Sequence, residues 1–279
     1  MSTNDRSAAR VPPVAVVTGA ASGIGRELIV QFGAAGYRIA AVDKSADALE
    51  AAAEAARKAG AADVVTTALD VSSALAMNAF AARVREAFGR VDVVVNNAGI
   101  TRLGTFSDTP AEGFNDVINT NFFGVVNGSR AFLDDLVKTQ GSLVNMSSVA
   151  GLIGMMEQCA YCASKFAIRG FTETLMLEMK GRGVHVAIAY PGGIRTNIMR
   201  SAVYEIDKNP DALIERIERL SLRNTPTQAA MTIIRGVKRR SPRILIGKDA
   251  VFVFLLQRLF PLGSLNFMKR VSEHVLRRP

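Results

Sequence analysis

Short apolar runs alternate along the chain with longer stretches of helical periodicity. The runs are rich in Val, Ile, Leu and Ala and lack polar alternation, which is typical of parallel strands covered on both faces. Helical stretches at 45–59, 74–88 and 160–179 are long enough to connect such strands. The pattern predicts one α/β domain, a doubly wound parallel sheet of about seven strands with helices on both faces. The predicted strands are residues 14–18, 38–42, 64–69, 91–96, 142–146, 184–190 and 243–246.

The same alternation gives the predicted organisation of the chain. We expect residues 1–12 to be a flexible N-terminal tip, residues 13–248 to form the single domain, and residues 249–279 to form a basic amphipathic tail. Residues 197–224 interrupt the alternation with a polar helical stretch. We interpret this segment as an insertion that covers a binding site.

Basic side chains are concentrated near the C-terminus. Of the 34 Lys and Arg residues, 11 lie in residues 235–279, together with Asp249 and Glu273 out of 25 acidic residues. The preceding part is therefore neutral, and no nucleic-acid-binding surface is indicated on the domain. With 49% hydrophobic residues the chain has ample material for a buried core, which excludes an intrinsically disordered protein.

The tail opens with the strongly apolar residues 250–260. This segment is shorter than the ~20 residues of a membrane-spanning helix, and Arg258 and Pro261 interrupt it. We expect it to pack on the domain or across a subunit boundary, because exposed Phe and Leu promote association. The alternative is a peripheral contact with an anionic membrane surface. The basic residues that favour this alternative are Lys269, Arg270, Arg277 and Arg278.

Cysteine and histidine are scarce. Cys159 and Cys162 are the two cysteines, so neither a disulfide framework nor a four-cysteine metal site can form, and we expect a reducing, cytoplasmic setting. His185 and His274 share no ligand spacing with them, so no metal is expected. The first apolar run, at 14–17, is too short for the core of a secretory signal.

A glycine-rich turn follows the first predicted strand. Residues 18–25 read Thr-Gly-Ala-Ala-Ser-Gly-Ile-Gly and lead into a helical pattern. Glycines allow a tight turn and let a pyrophosphate approach the helix N-terminus, whose free N–H groups favour negative charge. The turn therefore predicts a dinucleotide-binding site. Its expected contacts are Gly19, Ser22, Gly23, Ile24 and Gly25.

The end of the second predicted strand indicates which dinucleotide is bound. Asp43 stands about 20 residues after the turn, where a carboxylate accepts hydrogen bonds from a ribose diol and repels a 2′-phosphate. This favours NAD over NADP. Lys44 beside it leaves NADP open, because a base partly neutralises a phosphate.

With this turn, Thr-Gly-x-x-x-Gly-x-Gly, the sequence resembles the short-chain dehydrogenase/reductase family. Asp70 and Val71 end the third strand, where the family contacts adenine, and Asn97, Ala98 and Gly99 match its Asn-Asn-Ala-Gly motif. The resemblance runs from about residue 14 to residue 247. It implies a Rossmann-type fold, a dinucleotide-binding and catalytic domain at 13–248, and hydride transfer between a nicotinamide and an alcohol or ketone.

The family's four catalytic positions are matched by Asn121, Ser148, Tyr161 and Lys165. The resemblance implies that Tyr161 exchanges the alcohol proton and that Ser148 hydrogen-bonds the substrate oxygen. Lys165, four residues after Tyr161 on one helix face, is expected to lower the Tyr161 pKa and to bind the nicotinamide ribose. Asn121 is expected to hold a water linked to Lys165. Ser147 adjoins Ser148, but the spacing to Tyr161 favours Ser148.

The turn after the sixth predicted strand completes the expected cofactor site. In the family this turn lies against the nicotinamide. The contacts that the resemblance implies are Pro191, Gly192, Ile194 and Thr196.

The substrate is expected between the catalytic serine and the insertion. We predict that Ser148, Leu152, Met155 and Met199 contact it. The mostly apolar side chains in this region predict a small hydrophobic secondary alcohol or ketone.

Three functions are compatible with these residues. The first is an NAD(H)-dependent oxidoreductase, the second an NADPH-dependent ketoreductase of acyl or lipid-like carbonyl substrates, and the third an NAD-binding protein without catalytic activity. Because family members often assemble through the helix that carries the tyrosine, we expect a homodimer or homotetramer. The expected location is the cytoplasm, with a membrane-peripheral location as the alternative.

Overall fold

The central sheet contains seven parallel strands within the described part of the chain. The structure is a computed structural model and describes residues 11–205 and 210–276. A two-stranded parallel pair, β5 with β8, stands apart from this sheet. The strands are β1 (Val14–Thr18), β2 (Arg38–Asp43), β3 (Asp63–Ala68), β4 (Val93–Asn96), β5 (Arg102–Leu103), β6 (Ser142–Met146), β7 (His185–Pro191), β8 (Val203–Tyr204) and β9 (Arg243–Ile246).

Helices cover the sheet and extend the chain beyond it. Between α4 and α5 the helix widens into a π-turn at Asn119–Phe123, and short 3₁₀ turns lie at Val149–Gly151 and Lys180–Arg182. The α-helices are α1 (Gly23–Ala34), α2 (Ala46–Ala59), α3 (Ala74–Phe88), α4 (Ala111–Ile118), α5 (Gly124–Thr139), α6 (Cys159–Met179), α7 (Asp211–Ser221), α8 (Pro226–Lys238), α9 (Lys248–Leu259) and α10 (Pro261–Leu276).

The strand order is β3-β2-β1-β4-β6-β7-β9. The chain runs outward from β1 to β3 and then returns to pair β4 with the free side of β1. The connection that follows β1 therefore leads to one side of the sheet, and the connection that follows β4 leads to the other. This reversal opens a crevice at the carboxyl ends of β1 and β4, where ligands bind in open α/β sheets.

Both faces of the sheet are buried, which explains why its strands read as continuous apolar runs. On β1, Ala15 and Val17 face a core formed with α1, α2 and α8. Val14 and Val16 face a second core formed with α3, α5 and α6. The predicted doubly wound α/β fold is confirmed.

The predicted strand boundaries hold to within two residues. The predictions at 14–18, 142–146 and 243–246 match β1, β6 and β9, and the helix at 74–88 matches α3. The two-residue strands β5 and β8 went unpredicted because they are too short for a periodic pattern. The predicted flexible tip falls at residues 1–10 outside the described residues.

The segment predicted as an insertion is anchored to the domain by β8. Val203 and Tyr204 of β8 pair with β5, and Arg102 of β5 lies 2.8 Å from the Glu205 carboxylate. The Tyr204 hydroxyl donates to the Met199 carbonyl oxygen at 2.9 Å. These contacts hold the first part of the insertion beside the carboxyl end of the sheet.

Within residues 249–276 the predicted tail forms two helices, α9 and α10, and residues 277–279 lie outside the described residues. Val253 and Met268 are buried in a small core together with Ile188 and Tyr190 of β7. The tail therefore packs on the domain as expected. Across residues 11–205 and 210–276, no helix is long and apolar enough to cross a membrane.

Candidate active site

A cavity of about 1080 Å³ lies at the carboxyl ends of the parallel strands. Loops that follow β1, β2, β4, β6 and β7 form one end of it. The insertion and α10 form the other end. Its volume is at the upper limit of ordinary ligand pockets and suits a dinucleotide together with a small substrate.

The glycine-rich turn packs directly against the loop after β4. A Cβ on Gly19 would lie 2.8 Å from the Ala98 Cα atom, and Gly19 has a φ of +65°. A Cβ on Gly25 would overlap the Gly19 carbonyl oxygen and approach Asn97 Nδ2 to 2.6 Å. The turn therefore keeps its shape only without side chains at these two positions, as a phosphate cradle requires.

Thr18 joins these two loops, a role that the sequence did not reveal. Its hydroxyl oxygen accepts hydrogen bonds from the backbone N–H groups of Asn97 and Ala98, at 2.9 and 3.0 Å. Asn97 Nδ2 in turn donates to the carbonyl oxygens of Thr18 and Gly19 at 2.9 and 3.1 Å. The Asn-Asn-Ala-Gly motif thus acts as a brace for the glycine-rich turn.

Replacing Gly25 by Ala is expected to weaken NADH binding at least about tenfold and to lower the free energy of unfolding by about 1–3 kcal/mol. The reason is the overlap of the new Cβ with the Gly19 carbonyl oxygen. Fluorescence titration with NADH and chemical unfolding measure the two effects. Gly181→Ala, in the 3₁₀ turn at Lys180–Arg182, is the control, because a Cβ there meets no atom within 4 Å. Equal NADH affinity in both variants would contradict this role of the turn.

Asp43 reaches the cavity from the end of β2. Its carboxylate accepts hydrogen bonds from the backbone N–H groups of Ala21 and Ser45, at 3.0 and 3.1 Å, and is held in place by them. Lys44 turns toward Asp70 instead, with its ammonium 2.9 Å from that carboxylate. The base that left NADP open is therefore already paired, although both partners are largely exposed.

Tyr161, Ser148 and Lys165 meet at the cavity wall. The Ser148 side chain lies close enough to the Tyr161 phenol to influence its pKa. The Lys165 Nζ atom lies 5.5 Å from the centre of the Tyr161 ring and donates to the Met146 carbonyl oxygen at 2.9 Å. A phenol, a hydroxyl and an ammonium therefore converge where β6 and α6 border the cavity.

Burial shifts both titrating groups toward their neutral forms. It raises the pKa of Tyr161 to about 12, although the neighbouring Ser148 side chain acts in the opposite direction. It lowers the pKa of Lys165 to about 8. The expectation that Lys165 lowers the Tyr161 pKa stays a prediction, and this lowering has to overcome the desolvation of the phenol.

Asn121 lies in the π-turn between α4 and α5 and is fully buried. Its side chain binds both backbone polar groups of Ile100, with the oxygen accepting at 2.8 Å and the amide donating at 3.0 Å. The amide also donates to Ser164 Oγ on α6 at 3.0 Å. The side chain thus joins the loop after β4 to α6, and π-turns of this kind are frequent at functional sites.

Ser147 and Ser148 have different roles although they are adjacent. Ser147 is buried and donates to the Lys165 carbonyl oxygen at 2.9 Å, which fixes α6 on β6. Ser148 lines the cavity, and its hydroxyl accepts from the Ala150 N–H at 3.1 Å. The structure therefore brings Ser148, as predicted, to Tyr161.

The loop after β7 closes the cavity beside the glycine-rich turn. The Thr196 methyl group would lie 3.1 Å from a Cβ on Gly23, so the two loops touch. Asp249 of α9 supports this loop, because its carboxylate accepts from the Gly193 N–H at 2.6 Å. Asp249 lies 56 residues from Gly193, and nothing in the sequence pointed to this contact.

The substrate end of the cavity agrees only partly with the predictions. Met155 and Met199 line it, as expected. Leu152 does not, because the 3₁₀ turn at Val149–Gly151 directs it into the core with Ile153 and Tyr190. The prediction that Leu152 contacts substrate is therefore corrected.

The tail contributes part of the cavity wall, which the sequence did not indicate. The predicted boundary between the domain and the tail, at residue 248, therefore falls between residues that line the same cavity. The tail residues that line it are Asp249, Phe252, Val253, Phe267, Met268, Val271, Ser272, Val275 and Leu276.

Most of the predicted site residues line the same cavity. Gly25, Asp70, Asn121 and Leu152 lie behind it rather than on its surface. Within the described ranges, no group of three or more His, Cys, Asp or Glu side chains could hold a metal ion. The predicted residues on the cavity surface are Gly19, Ser22, Gly23, Ile24, Asp43, Val71, Asn97, Ala98, Gly99, Ser148, Met155, Tyr161, Lys165, Pro191, Gly192, Ile194, Thr196 and Met199.

Known proteins are similar to this chain in sequence and in architecture. Residues 13–206 match the family model described as short chain dehydrogenase. SadH of Mycobacterium tuberculosis, which is named as an oxidoreductase, is 38% identical over 265 residues, 94% of this chain and 95% of its own length. The 2-(R)-hydroxypropyl-CoM dehydrogenase of Xanthobacter autotrophicus is 34% identical over 244 residues, 86% of this chain and 93% of its own length. A short-chain dehydrogenase/reductase from Burkholderia phymatum, solved in complex with NAD, superposes with a TM-score of 0.79 at 27% identity, covering 89% of this chain and 93% of that one.

Proposed function

The chain belongs to the short-chain dehydrogenase family, and on this basis we propose that it is an NAD(H)-dependent oxidoreductase for a hydrophobic secondary alcohol and its ketone. The observation that carries the proposal is that Tyr161, Ser148 and Lys165 line the wall of the same cavity that Asp43 borders. The side chains that we propose for proton transfer and the Asp43 carboxylate that we propose for ribose binding therefore line the same cavity.

The glycine-rich turn and Asp43 fit a dinucleotide. The turn offers helix N–H groups to a pyrophosphate, and the Asp43 carboxylate offers hydrogen-bond acceptors to the adenosine ribose. Val71 and Ala98 supply apolar surface toward the adenine end, and Ile194 and Thr196 border the opposite end. A bound nicotinamide supplies or accepts the hydride. The Burkholderia phymatum relative, solved with NAD, supports this assignment.

Tyr161 acts as the proton donor when a ketone is reduced. Its pKa of about 12 keeps the phenol protonated at neutral pH, as an acid requires. Ser148 donates to or accepts from the same substrate oxygen and stabilises the charge that develops on it. Lys165 lies within reach of both Tyr161 and the cavity, where its ammonium binds ribose hydroxyls. Asn121 positions α6, and with it Tyr161 and Lys165.

The two reaction directions are expected to differ in their pH dependence. Because Tyr161 holds its proton, kcat/KM for ketone reduction should stay flat between about pH 6 and 7.5, whereas kcat/KM for alcohol oxidation should rise about tenfold per pH unit. Initial rates in both directions, at saturating cofactor, measure this difference. A reduction rate that requires a deprotonated group in that pH range would contradict the role of Tyr161 as acid.

Replacing Asp43 by Ser is expected to lower kcat/KM for NADH about tenfold and to raise it for NADPH, because the carboxylate that repels a 2′-phosphate is removed. Adding Asp70→Asn should raise NADPH use further, since it releases Lys44 from its ion pair. Asp47→Ser, on the exposed first turn of α2, is the control. A wild-type protein that prefers NADPH would contradict the assignment of NAD.

The apolar walls at the substrate end support a hydrophobic substrate. Leu103, Ile198 and Met199 line this end together with apolar residues of α10. The 2-(R)-hydroxypropyl-CoM dehydrogenase, a relative by sequence, is named for a substrate with a secondary alcohol. A panel of short and long apolar ketones with NADH and NADPH tests the proposal by following the absorbance of the reduced cofactor. Turnover of none of them, in a protein that binds NADH, would contradict it.

The proposal includes a homodimer or homotetramer that forms through α6. Phe166 and Leu177 on this helix are 42% and 77% exposed, and a second copy would cover such apolar side chains. Light scattering measures the mass in solution, and a monomer would contradict this part. A cytoplasmic location is also proposed, supported by the free thiols of Cys159 and Cys162.

A further inference from the structure

The two tail helices, α9 and α10, present an apolar face to the outside of the molecule. On α9, Val251, Leu255 and Leu259 follow each other at four-residue spacing and form one stripe. Leu259 is 67% exposed and Leu262, at the start of α10, is 81% exposed. We call this face the hairpin patch. It consists of Val251, Leu255, Leu259, Phe260, Leu262 and Leu265.

The hairpin patch adjoins the mouth of the active-site cavity. Phe252 of α9 and Phe267 of α10 line the cavity, and they are also 51% and 40% exposed. Their rings pack edge to face with centres 5.6 Å apart. Behind them, Val271 and Val275 of α10 continue the apolar wall into the cavity. Apolar side chains of the two tail helices therefore lie both on the outside of the molecule and along the substrate end of the cavity.

Basic side chains surround the hairpin patch. Lys248, Arg258, Lys269 and Arg270 are exposed on the same two helices. Of the acidic residues there, Glu273 is 3.8 Å from the Lys269 ammonium. Asp249 accepts a hydrogen bond from the Gly193 N–H in the loop after β7, so four basic side chains on the two helices stand against two carboxylates. The exposed face of the tail is thus apolar at its centre and positively charged at its rim.

This charge distribution favours a lipid surface over a second copy of the chain. Two copies joined face to face through the hairpin patch would oppose their basic rims, and like charges repel. Anionic headgroups attract the same rim, while the apolar side chains enter the boundary between headgroups and acyl chains.

We propose that the hairpin patch seats the protein on an anionic lipid surface, and that Phe252 and Phe267 frame a port between that surface and Tyr161. An apolar alcohol or ketone dissolved in the membrane then enters the cavity without crossing water. The port rests on the proposed oxidoreductase function, whereas the lipid seat does not.

Cosedimentation with vesicles tests the lipid seat independently of activity. The full-length protein is expected to bind vesicles that contain phosphatidylcholine and phosphatidylserine. Its binding to vesicles of phosphatidylcholine alone, and its binding to either vesicle at high salt, should be at least about tenfold weaker. The double variant Leu259→Ser/Leu262→Ser should bind the mixed vesicles at least about tenfold more weakly. Leu75→Ser on α3 is the matched control, because Leu75 is equally exposed, at 82%, and lies outside the tail.

A comparison of two ketones then tests the port. With mixed vesicles present, the double variant should lose about tenfold in kcat/KM for a long-chain ketone that partitions into lipid and keep its rate on a short water-soluble ketone. NADH binding confirms that the variant is folded, and the substituted leucines lie outside the cavity wall. Equal loss on both ketones would overturn the port.

The outcomes separate the two proposals. Wild-type protein that does not bind the mixed vesicles would overturn the lipid seat, whatever its activity. An oligomer that Leu259→Ser/Leu262→Ser dissociates, without vesicle binding by the wild type, would overturn it as well and assign the hairpin patch to a second copy. Vesicle binding without turnover of any ketone would overturn the oxidoreductase proposal and the port, and would leave the lipid seat standing.

Discussion

Replacing Tyr161 by Phe is expected to lower kcat about 10³-fold in both reaction directions, while NADH affinity stays within about threefold of wild type. The variant keeps the ring that borders the cavity and removes only the hydroxyl that meets Ser148. Cofactor contacts on the glycine-rich turn and Asp43 are untouched. Steady-state rates and NADH fluorescence titration separate these two effects.

Tyr37→Phe is the matched control for this experiment. Tyr37 packs on Phe32 in the core beside α1, with ring centres 5.0 Å apart, and does not border the cavity. Its variant should therefore turn over like wild type. Undiminished turnover by Tyr161→Phe would assign proton transfer to another group and would favour the interpretation of the chain as an NAD-binding protein without this catalytic residue.

Replacing Lys165 by Met is expected to reduce kcat/KM about 10²-fold or more and to raise the free energy of unfolding at neutral pH by about 1–2 kcal/mol. Burial lowers the Lys165 pKa from 10.5 to about 8, so the folded chain bears the cost of a buried ammonium. The lost hydrogen bond to the Met146 carbonyl oxygen offsets part of this gain. Enzyme assays and urea unfolding measure both effects.

The same shift gives a signature in the pH dependence of stability. Between about pH 8 and 10.5 the unfolded chain holds the Lys165 proton and the folded chain does not, so Lys165 contributes stability that rises with pH in that window. Burial raises the pKa values of Cys162 and Tyr161, and these groups act in the opposite direction, so the rise is measured as the difference in stability between wild type and Lys165→Met. Lys58→Met, whose side chain is 76% exposed on α2, should behave like wild type in both assays. A Lys165→Met variant that is less stable than wild type would show that Lys165 stabilises the fold, whereas we expect its buried charge to destabilise it.

Local signals in the sequence were sufficient to predict the sheet and one end of the cavity. Continuous apolar runs predict β1 and β6 to the residue because both faces of the sheet are buried. Gly19, Asp43 and Tyr161 each stand next to the element that positions them, so spacing along the chain sufficed to find them. The loops after parallel strands meet at one edge, which brings such distant residues into one cavity.

Contacts between distant segments could not be predicted in this way. Asp249 supports the loop at Gly193, and α10 forms part of the cavity wall, but neither segment carries a motif that points to its partner. Leu152 faces the core because a 3₁₀ turn rotates it away from Ser148, which apolar character alone does not reveal. The raised Tyr161 pKa likewise depends on the burial of the phenol, which the spacing between Tyr161 and Lys165 in the sequence does not reveal.

Transfer of deuterium from NADH that carries deuterium at both positions of C4 of the nicotinamide tests the central claim most directly. The protein is incubated with the labelled cofactor and a panel of apolar ketones, and mass spectrometry locates the label in the alcohols formed. We expect deuterium on the carbinol carbon with wild-type protein and with Tyr37→Phe, and its loss with Tyr161→Phe. Labelled cofactor that binds but transfers no deuterium to any ketone, or equal transfer by Tyr161→Phe, would contradict a tyrosine-dependent oxidoreductase.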